Sequence, residues 1–525
     1  MRQKFLLLLA LLLVVTVPLL GQATTSGGVI GTITDSSGAA LPGVTVELSG
    51  PAMQGTRMDV ADARGQYRFL QVPPGENYRL TATLSGFAPV TKTINRVYLG
   101  QDATVDISMR AAVSEAITVM AEAPLVDVTK TAIGVNVTSR QFESLPTQRS
   151  FQQLTTLAPG VTLEMSEHDS RQLANSPNVG ASSAPENNYI IDGLSTTDVR
   201  FGTSGTNLAM NFVEEVQVMT SGYSAECGRS TGGVFNVITK SGGNDFSGDV
   251  FGYYKNKSWS KEAPRNAGSG TTLLADLGTT KDFGVDVGGP IMRDRLWFFG
   301  AFDPTRRNVD VGGIRDDATG EINNTPTGYT ERTNFYAGKM TWGIMPNHNV
   351  VVSAFGDPTH REGWLESAFF QSLDGAGRVA DLGSKNLAGR YTGVLSQAWL
   401  IEGSLGRFTA THNRHALTEI GRTVPRQSDL FGGRVYGGNP AVFTDKESRN
   451  AYALKLTNFF GAHELHYGGD VEKNKYDEEI HAFNYVGFFA TVPLKEGGRE
   501  KRWVMSQREY SVNATGNTDN NAAFL

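Results

Sequence analysis

Two short motifs invite a catalytic reading. His463-Glu464-Leu465-His466 places two imidazoles and a carboxylate close together, as a zinc protease would. That chemistry needs the histidines four apart on one helix face, and the fourth position here is Tyr467. On a strand, 463 and 466 point to opposite faces. Gly228-Arg229-Ser230-Thr231-Gly232 fits the G-x-S-x-G elbow of serine hydrolases. The elbow needs a strand, a turn and then a helix, whereas Val234-Phe235-Asn236-Val237-Ile238-Thr239 reads as a strand. With 60 glycines among 525 residues, well above the roughly 7% of ordinary chains, such a match arises cheaply. No phosphate-cradling glycine motif is present, and Cys227 is the single cysteine, which leaves no disulfide and no cysteine zinc site. The residues predict no catalytic constellation, no metal site and no cofactor, and hence no enzyme.

One short segment has binding chemistry instead. Ile117-Thr118-Val119-Met120-Ala121 is β-prone, lies between Glu115 and Pro124, and could add as a strand to another protein's sheet edge. An ordinary edge strand is the plainer alternative.

The elements around these residues are mostly strands. Over 28–109, Val44, Val46 and Leu48 alternate with polar neighbours, as do Tyr67 and Phe69, and Tyr78, Leu80, Ala82 and Leu84. Turn residues recur between them at Asp35–Gly38, Pro42-Gly43, Asp62–Gly65 and Pro73–Gly75. Period-2 runs every ten or so residues predict a small β-sandwich. Residues 126–240 mix short helices, beginning at Ser139 and Ser150, with strands at 188–191, 213–218 and 234–239. From 241 onward, amphipathic hairpins flank Arg293-Asp294, Pro346–Asn349 and Gly461-Ala462, separated on the other side by long polar stretches such as 305–332 and 413–448. Short turns on one side and long loops on the other fit a transmembrane β-barrel, with a soluble array of sandwiches as the alternative.

Composition narrows the class. Lys+Arg 47 against Asp+Glu 53 gives a net charge of −6, so no basic surface marks a nucleic-acid binder. The start of the chain reads as an export signal: Arg2 and Lys4, the apolar run Phe5–Leu20, then Gly21-Gln22-Ala23 before Thr24. Cleavage is expected between Ala23 and Thr24. The run is shorter than the ~20 residues of a spanning helix, and Pro18 closes it.

Longer stretches carry a resemblance. Gly31, Asp35, Gly38, Leu41–Val44, Asp62, Gly65–Phe69, Val72–Gly75, Tyr78 and Gly86-Phe87 resemble the carboxypeptidase regulatory-like domain, which implies a transthyretin-like sandwich without catalysis. Asn188–Gly193, Glu214–Val218 and 225–248 resemble the plug of TonB-dependent outer-membrane receptors, and 288–299 resembles early barrel strands of the Oar-like branch. The plug signature falls on Asp192, Gly193, Glu226, Gly228, Arg229, Gly232, Gly233, Asn236, Thr239, Lys240, Ser241 and Gly242. Cys227 stands where the family has an aromatic residue.

The resemblance implies a mainly β chain: signal peptide 1–23, regulatory-like sandwich 24–110, linker 111–125, α+β plug 126–240, and the N-terminal part of an antiparallel outer-membrane β-barrel over 241–525. It makes Ile117–Ala121 a candidate TonB box, with Met120 where such boxes often carry threonine. It implies TonB and its inner-membrane energising complex as partners, outer-membrane lipid around the barrel, the sandwich in the periplasm, and an unknown extracellular substrate. Oligosaccharide, peptide or metal chelate would suit import, and an adhesion or surface-organising protein of the same architecture is the alternative. The sandwich could bind sugar, contact a periplasmic partner or space the box, the last two being preferred. A plugged transporter barrel closes with 22 strands, while 241–525 holds ten or so, so the sequence is expected to be a fragment of a longer receptor.

Overall fold

The structure is a computed structural model. It describes residues 24–524 apart from 54, 112–116, 122–131, 145–149, 165–175, 181, 225–226, 229, 260–270, 274–275, 312–313, 317–321, 324–326, 346, 366–376, 397, 425–426, 430–434, 437, 439–440, 461–462, 483–485, 494–498 and 507–509. The signal segment with Ala23, the signature residues Glu226 and Arg229, and the Gly461-Ala462 turn lie outside the described residues.

The N-terminal strands are β1 (Gly27–Asp35), β2 (Thr45–Ser49), β3 (Arg57–Val60), β4 (Gln66–Val72), β5 (Gly75–Thr83), β6 (Val90–Val97), β7 (Asp102–Thr104), β8 (Ile107–Met109) and β9 (Ile117–Ala121). They form two sheets, β4-β1-β7 with β8 also on β1, and β3-β2-β5-β6-β9. The alternation predicted from sequence is what closes them: Val44, Val46, Leu48, Tyr67, Phe69, Tyr78, Leu80 and Ala82 all enter one core. Their polar neighbours stay on the outer faces, so each sheet buries one side.

The plug is built on β10 (Ile133–Thr138), β13 (Asn188–Ile191), β14 (Leu194–Ser195), β15 (Val213–Ser221) and β16 (Val234–Thr239), in the order β10-β15-β16-β13-β14. A separate hairpin pairs β11 (Val161–Glu164) with β12 (Ser176–Val179). The helix expected at Ser139 spans Ser139–Ser144. Thr138 precedes it, its backbone N–H and hydroxyl both donating to Gln141 Oε1. The second helix, Phe151–Leu154, has Ser150 at its N-cap without a side-chain hydrogen bond.

The largest sheet runs β17 (Ser247–Lys255), β19 (Asp276–Met292), β20 (Leu296–Val311), β23 (Thr327–Met345), β24 (His348–Gly356), β26 (Gly377–Ser396), β27 (Trp399–Ala416), β30 (Ala441–Phe460), β31 (His463–Ala482) and β34 (Tyr510–Phe524). All of these neighbours pair antiparallel. β25 (Thr359–Leu365) continues the β24 stave beyond Asp357-Pro358, pairing with β23 and β26. The loop segments carry β18 (Thr271–Leu273), β21 (Ile314–Asp316) and β22 (Ile322–Asn323) as one small sheet. A second is made of β28 (Gln427–Asp429), β29 (Val435–Tyr436), β32 (Val486–Pro493) and β33 (Arg499–Ser506).

The polarity of this large sheet decides between the two readings of its periodicity. On β19, Phe283, Val285 and Val287 are about half exposed, while Asp282 and Asp286 are buried. On β23, Met340 and Trp342 are exposed and Lys339 and Thr341 buried; on β30, Tyr452 and Leu454 are exposed and Lys455 and Thr457 buried. A water-soluble sheet would have the reverse arrangement. Apolar rows outside and polar rows inside are what a strand needs when lipid lies on one side and a polar lumen on the other. Among the described residues no helix is long and apolar enough to cross a membrane.

The plug lies inside this wall. Its core, around Phe151, Tyr189, Phe212, Phe235 and Val237, continues into Phe299, Ala337, Phe355, Ala388, Phe408 and Ala410 of the barrel strands. The sandwich sits at the end of the barrel that carries the short turns. There Gln71 donates to Glu402 Oε1 at 3.1 Å, and the Arg68 guanidinium lies 4.2 Å from the Phe459 ring centre.

Candidate functional site

Of the expected signature residues, Asp192, Gly193 and Thr239 come together where the plug meets the wall. The β13–β14 turn is Asp192-Gly193, both with positive φ (47° and 82°). Aspartate tolerates the left-handed region better than most residues, and glycine adopts it freely. This turn aims the Asp192 carboxylate back at the end of β16. Oδ1 accepts the Thr239 N–H at 3.0 Å and Oδ2 the Thr239 hydroxyl at 2.7 Å. From β23, Lys339 Nζ then donates to Asp192 Oδ1 at 2.9 Å and to the Thr239 carbonyl at 2.7 Å. The two charged side chains are only 5–6% exposed, so each needs the other. A Cβ on Gly193 would collide with the Arg390 guanidinium of β26.

The other described signature residues lie within β16 and on either side of it. Asn236 Nδ2 donates to the Thr24 carbonyl at 2.7 Å, and Arg390 hydrogen-bonds the Thr25 hydroxyl, so the chain at the expected cleavage point lies against the plug. Lys240 Nζ lies 3.3 Å from Asp286 and 3.5 Å from Asp249, both on barrel strands. Gly232 N–H donates to the Glu186 carbonyl and Gly233 N–H to Asn187 Oδ1, while Gly228 lines a small cavity beside Asp192. Ser241 is exposed on a larger cavity of about 580 Å³, shared by sandwich, plug and wall. Gly242 passes so close to the Phe298 carbonyl that a Cβ would collide with it. Cys227 is buried with Ile190, Met219 and Val234, a packing role.

Further ties were not visible in the sequence. Asp357, at the break between β24 and β25, accepts the Asn207 N–H of the plug at 3.0 Å and the Ser384 N–H and hydroxyl at 2.8 and 2.7 Å. Arg200 of the plug reaches Asp445 at 2.9 Å and Glu478 at 2.6 Å. Arg449 of β30 donates to the carbonyls of Ser195 and Thr197. Where no metal ligands were expected, the fold brings Asp198, His412 and Glu447 together, their ligand atoms all within 4.8 Å of one another.

The two decoys are placed elsewhere. Ser230 donates to the carbonyls of Glu186 and Gly233, and β16 follows as a strand. His466 meets Glu464 and Thr457 on the barrel strands.

The sandwich holds the plug through Arg96, whose guanidinium lies 3.1 Å from Glu214 and 3.3 Å from Glu215. Glu215 is fully buried and also accepts the Leu99 N–H at 2.8 Å. Burial pushes both carboxyls above their usual range, against the pull of Arg96. The Ile117–Ala121 segment is a paired edge strand: β9 runs parallel to β6, with Val90 opposite Ile117 and Ile94 opposite Ala121. It ends the five-stranded sheet, so among the described strands its outer edge has no neighbour.

Comparison with known proteins agrees with this geometry. Residues 28–110 match the carboxypeptidase regulatory-like domain, 127–234 the TonB-dependent receptor plug domain, and 238–315 an outer membrane beta barrel domain. The chain is 29% identical to the TonB-dependent transporter Oar of Myxococcus xanthus over 88% of its own length and 51% of that protein. It therefore spans about half the length of this curated relative. The outer membrane transporter YddB from Escherichia coli shares the fold, with a TM-score of 0.53 at 15% identity, covering 75% of this chain and 56% of that one. A regulatory-like sandwich, a plug inside the wall and a lipid-facing strand array, in that order, give the chain the domain series matched to TonB-dependent outer-membrane receptors and make it similar to the transporter Oar.

Proposed function

We propose that this receptor imports a large or scarce substrate, an oligosaccharide, peptide or metal chelate, by TonB-driven displacement of the plug. The observation that carries the reading is the way the plug is held: a few buried polar ties to the wall, chief among them Asp192–Lys339. Such contacts separate stepwise and can be remade by water and by neighbouring lumen groups. The outer membrane has neither ATP nor a held ion gradient, so the work must arrive through a partner that reaches it from the inner membrane. TonB with its energising complex is that partner, and Ile117–Ala121 is the strand it would pair with. The sandwich, on the short-turn side, then faces the periplasm and serves as partner platform or spacer.

One observation favours the adhesion or surface-organising alternative. The candidate box is already engaged with β6, so pairing through that edge requires its release first. Cells that depend on the receptor for growth on oligosaccharide, peptide or chelated-metal sources separate the two. Deleting Ile117–Ala121 should abolish growth on one source while surface levels stay unchanged. Unimpaired growth on every source that requires the receptor would reject energised import.

A further inference from the structure

The plug loop after β14 holds one more feature that import by itself does not require. Asp198 of this loop, His412 of β27 and Glu447 of β30 are 5%, 6% and 2% exposed. Their ligand atoms fall within 4.8 Å of one another, although the residues come from three separate stretches of chain. Glu447 Oε2 accepts the Val199 N–H at 2.9 Å, while its buried Oε1 has no hydrogen-bond partner among the described residues. Asp198 Oδ1 accepts the backbone N–H groups of Arg200 and Phe201, which fixes the carboxylate in the turn.

Two cations lie nearby, Arg200 and Arg449, and the charge of Arg449 also acts on Glu447. Arg200 spans Asp445 and Glu478, and Arg449 bonds Ser195, Thr197 and Glu472. Asp198 and Glu447 therefore stand as two buried carboxylates beside one imidazole. The two carboxylates carry negative charge out of water that Arg449 offsets only in part, and a protein tolerates the remainder only when it is neutralised. A proton shared between the carboxylates would remove one of these charges. A divalent cation would remove both and would also occupy the unused oxygen. One nitrogen and two oxygens suit zinc and its first-row neighbours. Calcium and magnesium prefer all-oxygen shells with more ligands.

We propose that Asp198, His412 and Glu447 bind one divalent transition-metal ion of the zinc class, which cross-links the plug loop to two neighbouring barrel staves. His412 lies four residues before the end of β27, on the long-loop side of the barrel. The ion would therefore fasten the plug at the end opposite the sandwich, and plug displacement would have to break this bond or wait for the metal to leave.

The test uses the full chain, purified in detergent, stripped with a chelator and titrated with Zn2+ alone. One zinc per chain should remain after desalting, with Glu447→Gln and His412→Gln each weakening binding at least about tenfold. His463→Ala, an exposed control, should bind as the parent does. Co2+ in place of Zn2+ should give visible ligand-field bands in the parent that Glu447→Gln removes, and circular dichroism with heat-modifiable migration confirms that the variants fold. Zinc should raise the unfolding temperature of the parent and leave that of Glu447→Gln unmoved. No stoichiometric zinc in the folded parent, or equal binding by the folded ligand variants, overturns the proposal in favour of a shared proton.

Discussion

Replacing Lys339 by methionine tests whether the plug is held by discrete polar ties. The substitution keeps most of the side-chain volume and removes two hydrogen bonds, one to Asp192 Oδ1 and one to the Thr239 carbonyl. Breaking a buried ion pair by deleting one partner costs about 3–5 kcal/mol. Two features lower that figure here. Asp192 keeps both hydrogen bonds from Thr239, and both charged groups border the 580 Å³ cavity, from which water can reach the carboxylate. The expected loss is therefore about 3 kcal/mol in the free energy of plug opening, roughly a hundredfold in the equilibrium. Amide hydrogen exchange on the detergent-solubilised chain reads this directly. The amides of β16, including Thr239, should exchange about a hundredfold faster in Lys339→Met, while those of β26 and β27 hold their parent rates. Asp192→Asn should give a similar acceleration, and the double variant should fall well short of the sum, because both changes break the same pair. Exchange of β16 within threefold of the parent, or full additivity in the double variant, would refute the reasoning.

Three other outcomes follow from the same structure. Burial raises the Glu215 and Glu214 carboxyls above their usual value of 4.5. An acid with a raised folded-state value supplies stability below its unfolded value and loses it as pH climbs through the folded one. Thermal melts should thus show sandwich–plug docking weakening as pH rises from about 4.5, more shallowly in Glu215→Gln; identical slopes would contradict this. Val285→Arg, on the lipid face of β19, should cost about 2–4 kcal/mol if it lies near the bilayer midplane, read as a drop in the urea midpoint on folding into lipid vesicles; a soluble sheet would lose almost nothing. Lys92→Cys with Val119→Cys joins register neighbours on β6 and β9. Oxidation should suppress TonB binding and a reductant restore it, and binding indifferent to oxidation would show that β9 is read from its outer edge.

The sandwich was legible because each strand has one buried and one wet face, so Val44, Val46 and Leu48 declare their register in three residues. The barrel staves were legible as alternation, but alternation alone does not say which face is inside. Only the burial of Lys339, Asp286 and Lys455 against the exposure of Trp342, Val285 and Leu454 settles that. The plug-to-wall ties were invisible for a different reason. Asp192 and Lys339 lie 147 positions apart, and on its strand Lys339 looks like any other lumen-facing residue. The same holds for Asp198, His412 and Glu447, whose meeting depends on how the plug is seated and not on any spacing along the chain. The pairing of β9 with β6 left no trace either, since five β-prone residues before a proline specify no partner strand.

The most direct measurement is the binding of TonB's periplasmic domain to the folded chain, with and without Ile117–Ala121. An energised importer predicts saturable binding by the intact chain and its loss on deletion, with the barrel still heat-modifiable. Equal binding by both forms, or none by the folded chain that keeps the segment, would contradict it.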